Sequence, residues 1–210
     1  MTRRAPSRVR LAVEVLLALA GVVLLGWNAV AAWSAWHFDR EQRQVMAAVR
    51  RVPAANLMLP VEGPATIPLH GLVGILDIPR LGLSEVIAEG DDNTSLDLAV
   101  GHLPDTPLPW RPGNAALAAH RDSRFAVLKG IRVGDRLNLS TPHGDFAYVV
   151  RETRIVRPDD LSVLAPSTHR LLTLITCYPF TYIGHAPKRF VVQATALGDD
   201  RGAIARGKVE

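Results

Sequence analysis

Cys177 is the only cysteine among 210 residues, so no disulfide within the chain can use it. A thiol without a partner is either a small core residue or a reactive group. It follows the apolar run Leu171 to Ile175 and Thr176, and Tyr178-Pro179 then stops the strand. A connection carrying Gly184 and Pro187 leads to Lys188-Arg189, after which Phe190-Val191-Val192 reads as a second strand. Such a strand-loop-strand unit would bring Cys177 and Arg189 to one rim, where a guanidinium stabilises the nucleophilic thiolate. The competing reading is an inert core thiol, because free cysteine is among the most buried residue types.

A thiolate needs a proton carrier, and seven histidines are available. His37 lies near an apolar N-terminal segment, and His70, His143 and His169 sit beside turn residues or charges, where a solvated ring is expected. His102, His120 and His185 remain. His120 ends the apolar run Ala115 to Ala119 and opens into Arg121-Asp122-Ser123, as a residue at a barrel mouth would. Arg121, Arg124 and Arg189 each also read as surface charges, and Thr176 is an ordinary β-branched strand residue.

The elements that must position these groups begin near Gly71, where short β-like runs alternate with turn residues. The runs are Val73 to Ile78, Leu83 to Ala88, Ala115 to Ala119, Arg136 to Ser140, Phe146 to Val156, Leu171 to Thr176 and Phe190 to Leu197. Seven runs in about 130 residues predict one all-β domain with a closed or sandwiched antiparallel sheet. Asp92 to Leu98 and Ser123 to Lys129 read as short helices or turns. Leu103 to Gly113 holds four prolines around Trp110 and reads as a rigid surface loop.

The formal net charge of +4 does not imply a nucleic-acid partner. Arg3, Arg4, Arg8 and Arg10 supply four of the 24 basic residues, which leaves 20 basic against 20 acidic groups elsewhere. No phosphate-binding face follows from that balance. The four arginines precede 21 uncharged residues from Val15 to Ala35, and roughly 20 suffice to span a bilayer. Basic residues before the span and Trp27, Trp33 and Trp36 in its far half predict a single-pass helix with a cytoplasmic N-terminus and an extracytoplasmic remainder. A cleaved signal peptide is the alternative, since Ala29-Val30-Ala31 and Ser34-Ala35 are small, but the apolar run exceeds an ordinary signal core. The expected organisation is a basic terminus (1–10), a transmembrane anchor (11–36), a stalk and Pro-rich linker (37–70), a catalytic domain (71–197) and a polar tail (198–210).

Thr173-Leu174-Ile175-Thr176-Cys177, then Tyr178-Pro179-Phe180, then Gly184-His185-Ala186-Pro187-Lys188-Arg189-Phe190, resembles the active-site signature of the sortases. These are the cysteine transpeptidases of bacterial surfaces, and the similarity is to class D members and their relatives. Gly113-Asn114, the following apolar run and His120-Arg121-Asp122 resemble the segment bearing the family's histidine, with Ala119 where members usually carry glycine. The resemblance covers about Gly71 to Leu197 and implies an eight-stranded closed β-barrel with short helices behind a membrane anchor. It implies catalytic roles for His120, Cys177 and Arg189, and for Thr176 a hydroxyl that supports the oxyanion or the substrate. It also implies a donor protein with a C-terminal Leu-Pro-X-Thr-Gly-like sorting signal cut between Thr and Gly, and an amine acceptor on the cell envelope. No cofactor or metal is expected. A cysteine endopeptidase that uses water would share these residues, and a non-catalytic anchored β-domain would keep only the fold.

Overall fold

The computed structural model describes residues 8–51, 66–182 and 184–197. The first seven residues, most of the expected linker (52–65) and the expected tail (198–210) lie outside the described residues. No proline interrupts Arg8–Arg51, and this stretch forms one 44-residue helix, α1. At about 1.5 Å per residue it is roughly twice as long as a hydrocarbon core of about 30 Å is thick. It is long and apolar enough to cross a membrane, and its apolar window is not buried by the rest of the chain. The end expected as a stalk packs on the barrel instead. Phe38 rests against Val86, Ala88 and Ala99, Met46 is buried, and the Arg43 guanidinium donates to the Ser84 carbonyl oxygen at 2.6 Å.

The β-like runs form β1 (Leu72–Ile78), β2 (Leu83–Glu89), β4 (Asn114–Ala118), β5 (Arg136–Thr141), β6 (Gly144–Val156), β7 (Leu171–Tyr178) and β8 (Lys188–Ala196). An eighth strand, β3 (Val100–His102), is too short to show a period in the sequence. It follows a six-residue helix, α2 (Asn93–Leu98), whose N-cap Asp92 accepts from the backbone N–H groups of Thr94 and Ser95. Ser123 to Lys129 becomes a 3-10 helix over Arg124–Gly130.

The strands close into a barrel in the order β1-β2-β3-β4-β7-β8-β6-β5. The sheet expected to be antiparallel throughout is mixed, because β2 with β3 and β4 with β7 pair parallel. The reason is topological: the chain leaves β4 at the top of the barrel and builds β5 and β6 elsewhere before returning at the bottom as β7. Alternate side chains fill the interior, among them Leu76, Ile78, Leu117, Leu137, Leu139, Leu172, Leu174 and Val192. Each such aliphatic side chain contributes about 1.5–3 kcal/mol by leaving water.

Leu103 to Gly113 is not the surface loop its prolines predict. Leu108 and Trp110 are buried in the main core, and the Tyr148 hydroxyl donates to the Pro109 carbonyl oxygen at 3.4 Å. The loop therefore plugs one end of the barrel. Gly113 lets it do so, with a φ of 127° and with Pro107 Cγ only 2.6 Å from where a Cβ would stand.

Two polar side-chain pairs hold neighbouring elements together. His102 and Glu89 sit opposite each other on β3 and β2, with Nδ1 2.8 Å from Oε2. On its other side His102 Nε2 lies 3.2 Å from the carbonyl oxygen of Pro107. The ring is thus held on both sides by structure. Asp135 is nearly buried and accepts from the Arg80 guanidinium and from the Arg132 N–H at 2.8 Å.

The hydrogen bond from Arg80 holds the Asp135 carboxyl below its ordinary value of 3.8, against the opposing effect of burial. A depressed folded pKa means stabilisation that is present above 3.8 and lost as pH falls through the folded value. Asp135→Asn should therefore lower the urea midpoint at neutral pH, and the gap to wild type should narrow as pH is taken below 3.8. Equal gaps at neutral and strongly acidic pH would rule out this linkage.

Candidate active site

The alternation of β4, β7 and β8 determines which residues leave the core together. Ala115, Leu117 and Ala119 face inward, as do Leu172 and Leu174 on β7 and Val192 and Ala194 on β8. The opposite parity carries Ala116, Ala118 and His120; Thr173, Ile175 and Cys177; and Arg189, Val191 and Gln193. Register aligns these sets. Ala118 pairs with Ile175 in the parallel β4–β7 ladder, and on the other side of β7 Ile175 pairs with Val191 and Cys177 with Arg189. One step beyond Ala118 and Ile175 on the same face, His120 follows β4 as Cys177 follows along β7.

His120, Cys177 and Arg189 line one cleft of about 270 Å³ with Arg121, Asp122, Gly184, His185 and Ala186. A larger cleft of about 580 Å³ lies between α1 and the barrel, lined by Trp36, Arg43, Glu85 and Arg124 among others. Its lining holds neither a cysteine nor a histidine, so the smaller cleft is the chemical candidate. That cleft collects the guanidinium groups of Arg121 and Arg189 with one carboxylate, Asp122, so cationic donors are at hand for a developing oxyanion. Arg189 Nη1 donates to the carbonyl oxygens of Ala186 (3.3 Å) and Lys188 (3.1 Å). Its Nε and Nη2 donors have no acceptor among the described residues, so two hydrogen-bonding nitrogens remain.

The outer face below this row is covered. Val163 and Leu164 pack on Ile175 and Val191. The Asn114 amide donates to the Val163 carbonyl oxygen at 3.0 Å, and Gln193 donates to the same oxygen at 3.1 Å. Asn114 in turn accepts from the buried Thr173 hydroxyl at 2.6 Å. These amides fasten the β6–β7 connection as a wall. Tyr178, Phe180 and Phe190 form another apolar cluster, with ring centroids 6.0, 6.4 and 5.3 Å apart.

Thr176 has the opposite parity from Cys177 and is 2% exposed. Its hydroxyl donates to the Ala119 carbonyl oxygen at 2.7 Å, so its hydrogen is unavailable to an oxyanion at Cys177. In this structure the hydroxyl fastens the backbone immediately before His120.

Sequence reasoning did not single out Asp97, which approaches His120 from α2 with Oδ1 3.3 Å from Nε2. Arg124 fixes the end of that helix, donating to the carbonyl oxygens of Leu96 (3.2 Å), Asp97 (3.3 Å) and Leu98 (2.6 Å). Arg124 also pairs with Glu85 at 3.2 Å. Burial pushes the Glu85 carboxyl up, with Arg124 opposing. A turn signal at Asp92 was readable, but nothing local indicates that α2 folds back onto a residue more than 20 positions later. Among the described residues no group of His, Cys, Asp and Glu could hold a metal ion.

A family model described as the Sortase domain matches residues 76–197. The chain is 39% identical to sortase D of Bacillus subtilis (strain 168) over 120 residues, which cover 57% of this chain and 61% of that protein. It is 27% identical to sortase A of Listeria monocytogenes over 135 residues, covering 62% of this chain and 59% of the relative. The chain thus spans about three fifths of the length of these curated relatives. Among solved structures it resembles a Clostridium perfringens sortase D5 transpeptidase in fold, with TM-score 0.63 and 22% identity, covering 79% of this chain and 99% of that one. Sortase C1 of Streptococcus suis matches at TM-score 0.56 and 26% identity, over 61% of this chain and 74% of that one.

Replacing Thr176 by valine should leave the Ala119 carbonyl buried without its donor, at a cost of about 1–3 kcal/mol. Denaturant unfolding of Thr176→Val measures this directly. A midpoint unchanged from wild type would mean that the bond does not hold the His120 segment.

Proposed function

Because this chain belongs to the sortase family, we propose that it is a membrane-anchored cysteine transpeptidase in which Cys177, His120 and Arg189 carry the chemistry. The observation that supports this best is the shared face: Cys177 pairs with Arg189 across β7 and β8, and both line a cleft with His120. An anchored binding domain would need the fold but not this convergence of thiol, imidazole and guanidinium.

In this reading the Cys177 thiolate attacks a backbone carbonyl carbon of an extended donor peptide. The C–N bond breaks as the C–S bond forms, and protonated His120 supplies the proton that leaves with the amine. Arg189 directs its remaining donors at the carbonyl oxygen while that oxygen carries negative charge. An incoming amine then attacks the thioester, His120 takes its proton, and the thiolate departs. Atoms and charges balance without a cofactor.

The donor on this reading is a surface protein with a C-terminal Leu-Pro-X-Thr-Gly-like signal, cut between Thr and Gly, and the acceptor is an amine of the cell envelope. Helix α1 would cross the membrane once with its basic end in the cytoplasm, so that the barrel meets donor and acceptor outside. The docking of Phe38 and Met46 fits an active domain held near the bilayer surface.

Cys177→Ala should abolish both peptide cleavage and thioester trapping by a sorting-signal analogue, measured by mass spectrometry on the full chain. Retained cleavage would remove the thiol from the mechanism, and cleavage by wild type without amine transfer would favour a hydrolase.

Charge and geometry make different forecasts for Arg189→Lys. If only the positive field matters, lysine should retain much of the turnover. A planar donor aimed at an oxyanion is lost with lysine, and turnover should then fall on the order of 100- to 1,000-fold. The second outcome is expected, with the alkylation rate of Cys177 near normal. Turnover close to wild type would reject the oriented donor.

A further inference from the structure

Arg121 follows His120 directly, and its guanidinium reaches across the cleft to the β7–β8 connection. Nη2 donates to the carbonyl oxygens of Tyr182 at 2.7 Å and Gly184 at 3.0 Å. Its Cζ also lies 5.9 Å from the centroid of the Tyr182 ring. Gly184 has a φ of 93°, a conformation in which its carbonyl oxygen meets this nitrogen and which side-chain-bearing residues rarely adopt. Two carbonyls converging on one charged nitrogen make a specific tether, since hydrogen bonds from an ionised donor are the stronger kind.

The tether joins the two sides of the cleft. Arg121 belongs to the segment that carries His120, whereas Gly184, His185 and Ala186 belong to the connection between Cys177 and Arg189, and all of these residues line the cleft. Arg121 Nη1 is buried and has no hydrogen-bond partner among the described residues.

We infer that Arg121 is a positioning residue for peptide binding: it ties the β7–β8 connection to the His120 segment and so sets the shape of the cleft in which the peptide meets Cys177. That a peptide occupies this cleft rests on the transpeptidase reading. Arg189 inherits its starting position from the same connection, so the tether bears on both the thiol and the oxyanion side.

The test measures hydrogen exchange in segments containing Tyr182 and Gly184, together with KM and kcat for a sorting-signal peptide and amine, on the full chain in detergent. Arg121→Ala should speed exchange there and raise KM roughly tenfold or more, the scale of a lost charge-assisted hydrogen bond, while kcat falls less. Gly184→Ala leaves the cleft's charges intact and strains the backbone that meets Arg121, so it should reproduce the faster exchange. Arg121→Lys keeps the charge without the planar fork and should fall between Arg121→Ala and wild type.

Exchange at the wild-type rate in Arg121→Ala would overturn the tether. Faster exchange with an unchanged KM would overturn its role in peptide binding. If no variant and no wild-type sample processes the peptide, the transpeptidase reading fails, whereas the exchange result still judges the tether.

Discussion

Everything at the candidate site depends on the register between β7 and its two neighbours. Because side chains alternate with a period of two, a one-residue slip of β7 would turn Cys177 into the barrel and Thr176 out of it. The interior prevents that slip, since Leu172 and Leu174 fill the core and cannot exchange places with Thr173 and Ile175 without exposing apolar surface. Polar bonds reinforce the same register from both faces. Thr176 fastens the Ala119 carbonyl from inside, and Thr173 fastens Asn114 from outside.

A parallel β4–β7 pair has a second consequence. Parallel neighbours bring their C-terminal ends to the same rim, so the residues that follow them, His120 and Cys177, emerge together. Antiparallel β8 begins at that rim and contributes Arg189. His120 therefore shares a cleft with Cys177 and Arg189 although it lies far from both in the chain. The connections that make this topology possible are themselves fastened, by the Asn114 and Gln193 amides on one side and Arg121 on the other.

The charged groups outside the cleft hold together elements that the core alone would leave loosely joined. Arg124 links Glu85 on β2 to the carbonyl end of α2, and Arg43 extends the contact from β2 to helix α1. Arginine suits these positions because its planar fork can serve several oxygens at once. Most of these bonds go to backbone carbonyls rather than to carboxylates. They therefore fix chain geometry more than they add Coulombic attraction, which at an exposed surface is small.

Periodicity in the sequence was enough to place seven of the eight strands, the long apolar helix and the all-β class, because each of these repeats a local pattern over many residues, whereas the closed eight-stranded barrel was implied by the family resemblance. The order Thr176-Cys177 with Arg189 opening the next strand also determined that thiol and guanidinium would meet, since a hairpin-like connection joins adjacent strands. What tertiary structure decided is of another kind. The three-residue β3 has no period to read, and the Pro-rich loop hides a core tryptophan because proline content reports backbone stiffness rather than burial. His102 and His120 both end short apolar runs, yet one is sealed between Glu89 and Pro107 while the other lines the cleft. Asp97 and Arg121 gain their partners only when α2 and the β7–β8 connection fold back over the barrel rim. Contacts between distant segments are set by the closure of the whole barrel, and no short stretch of sequence carries that information.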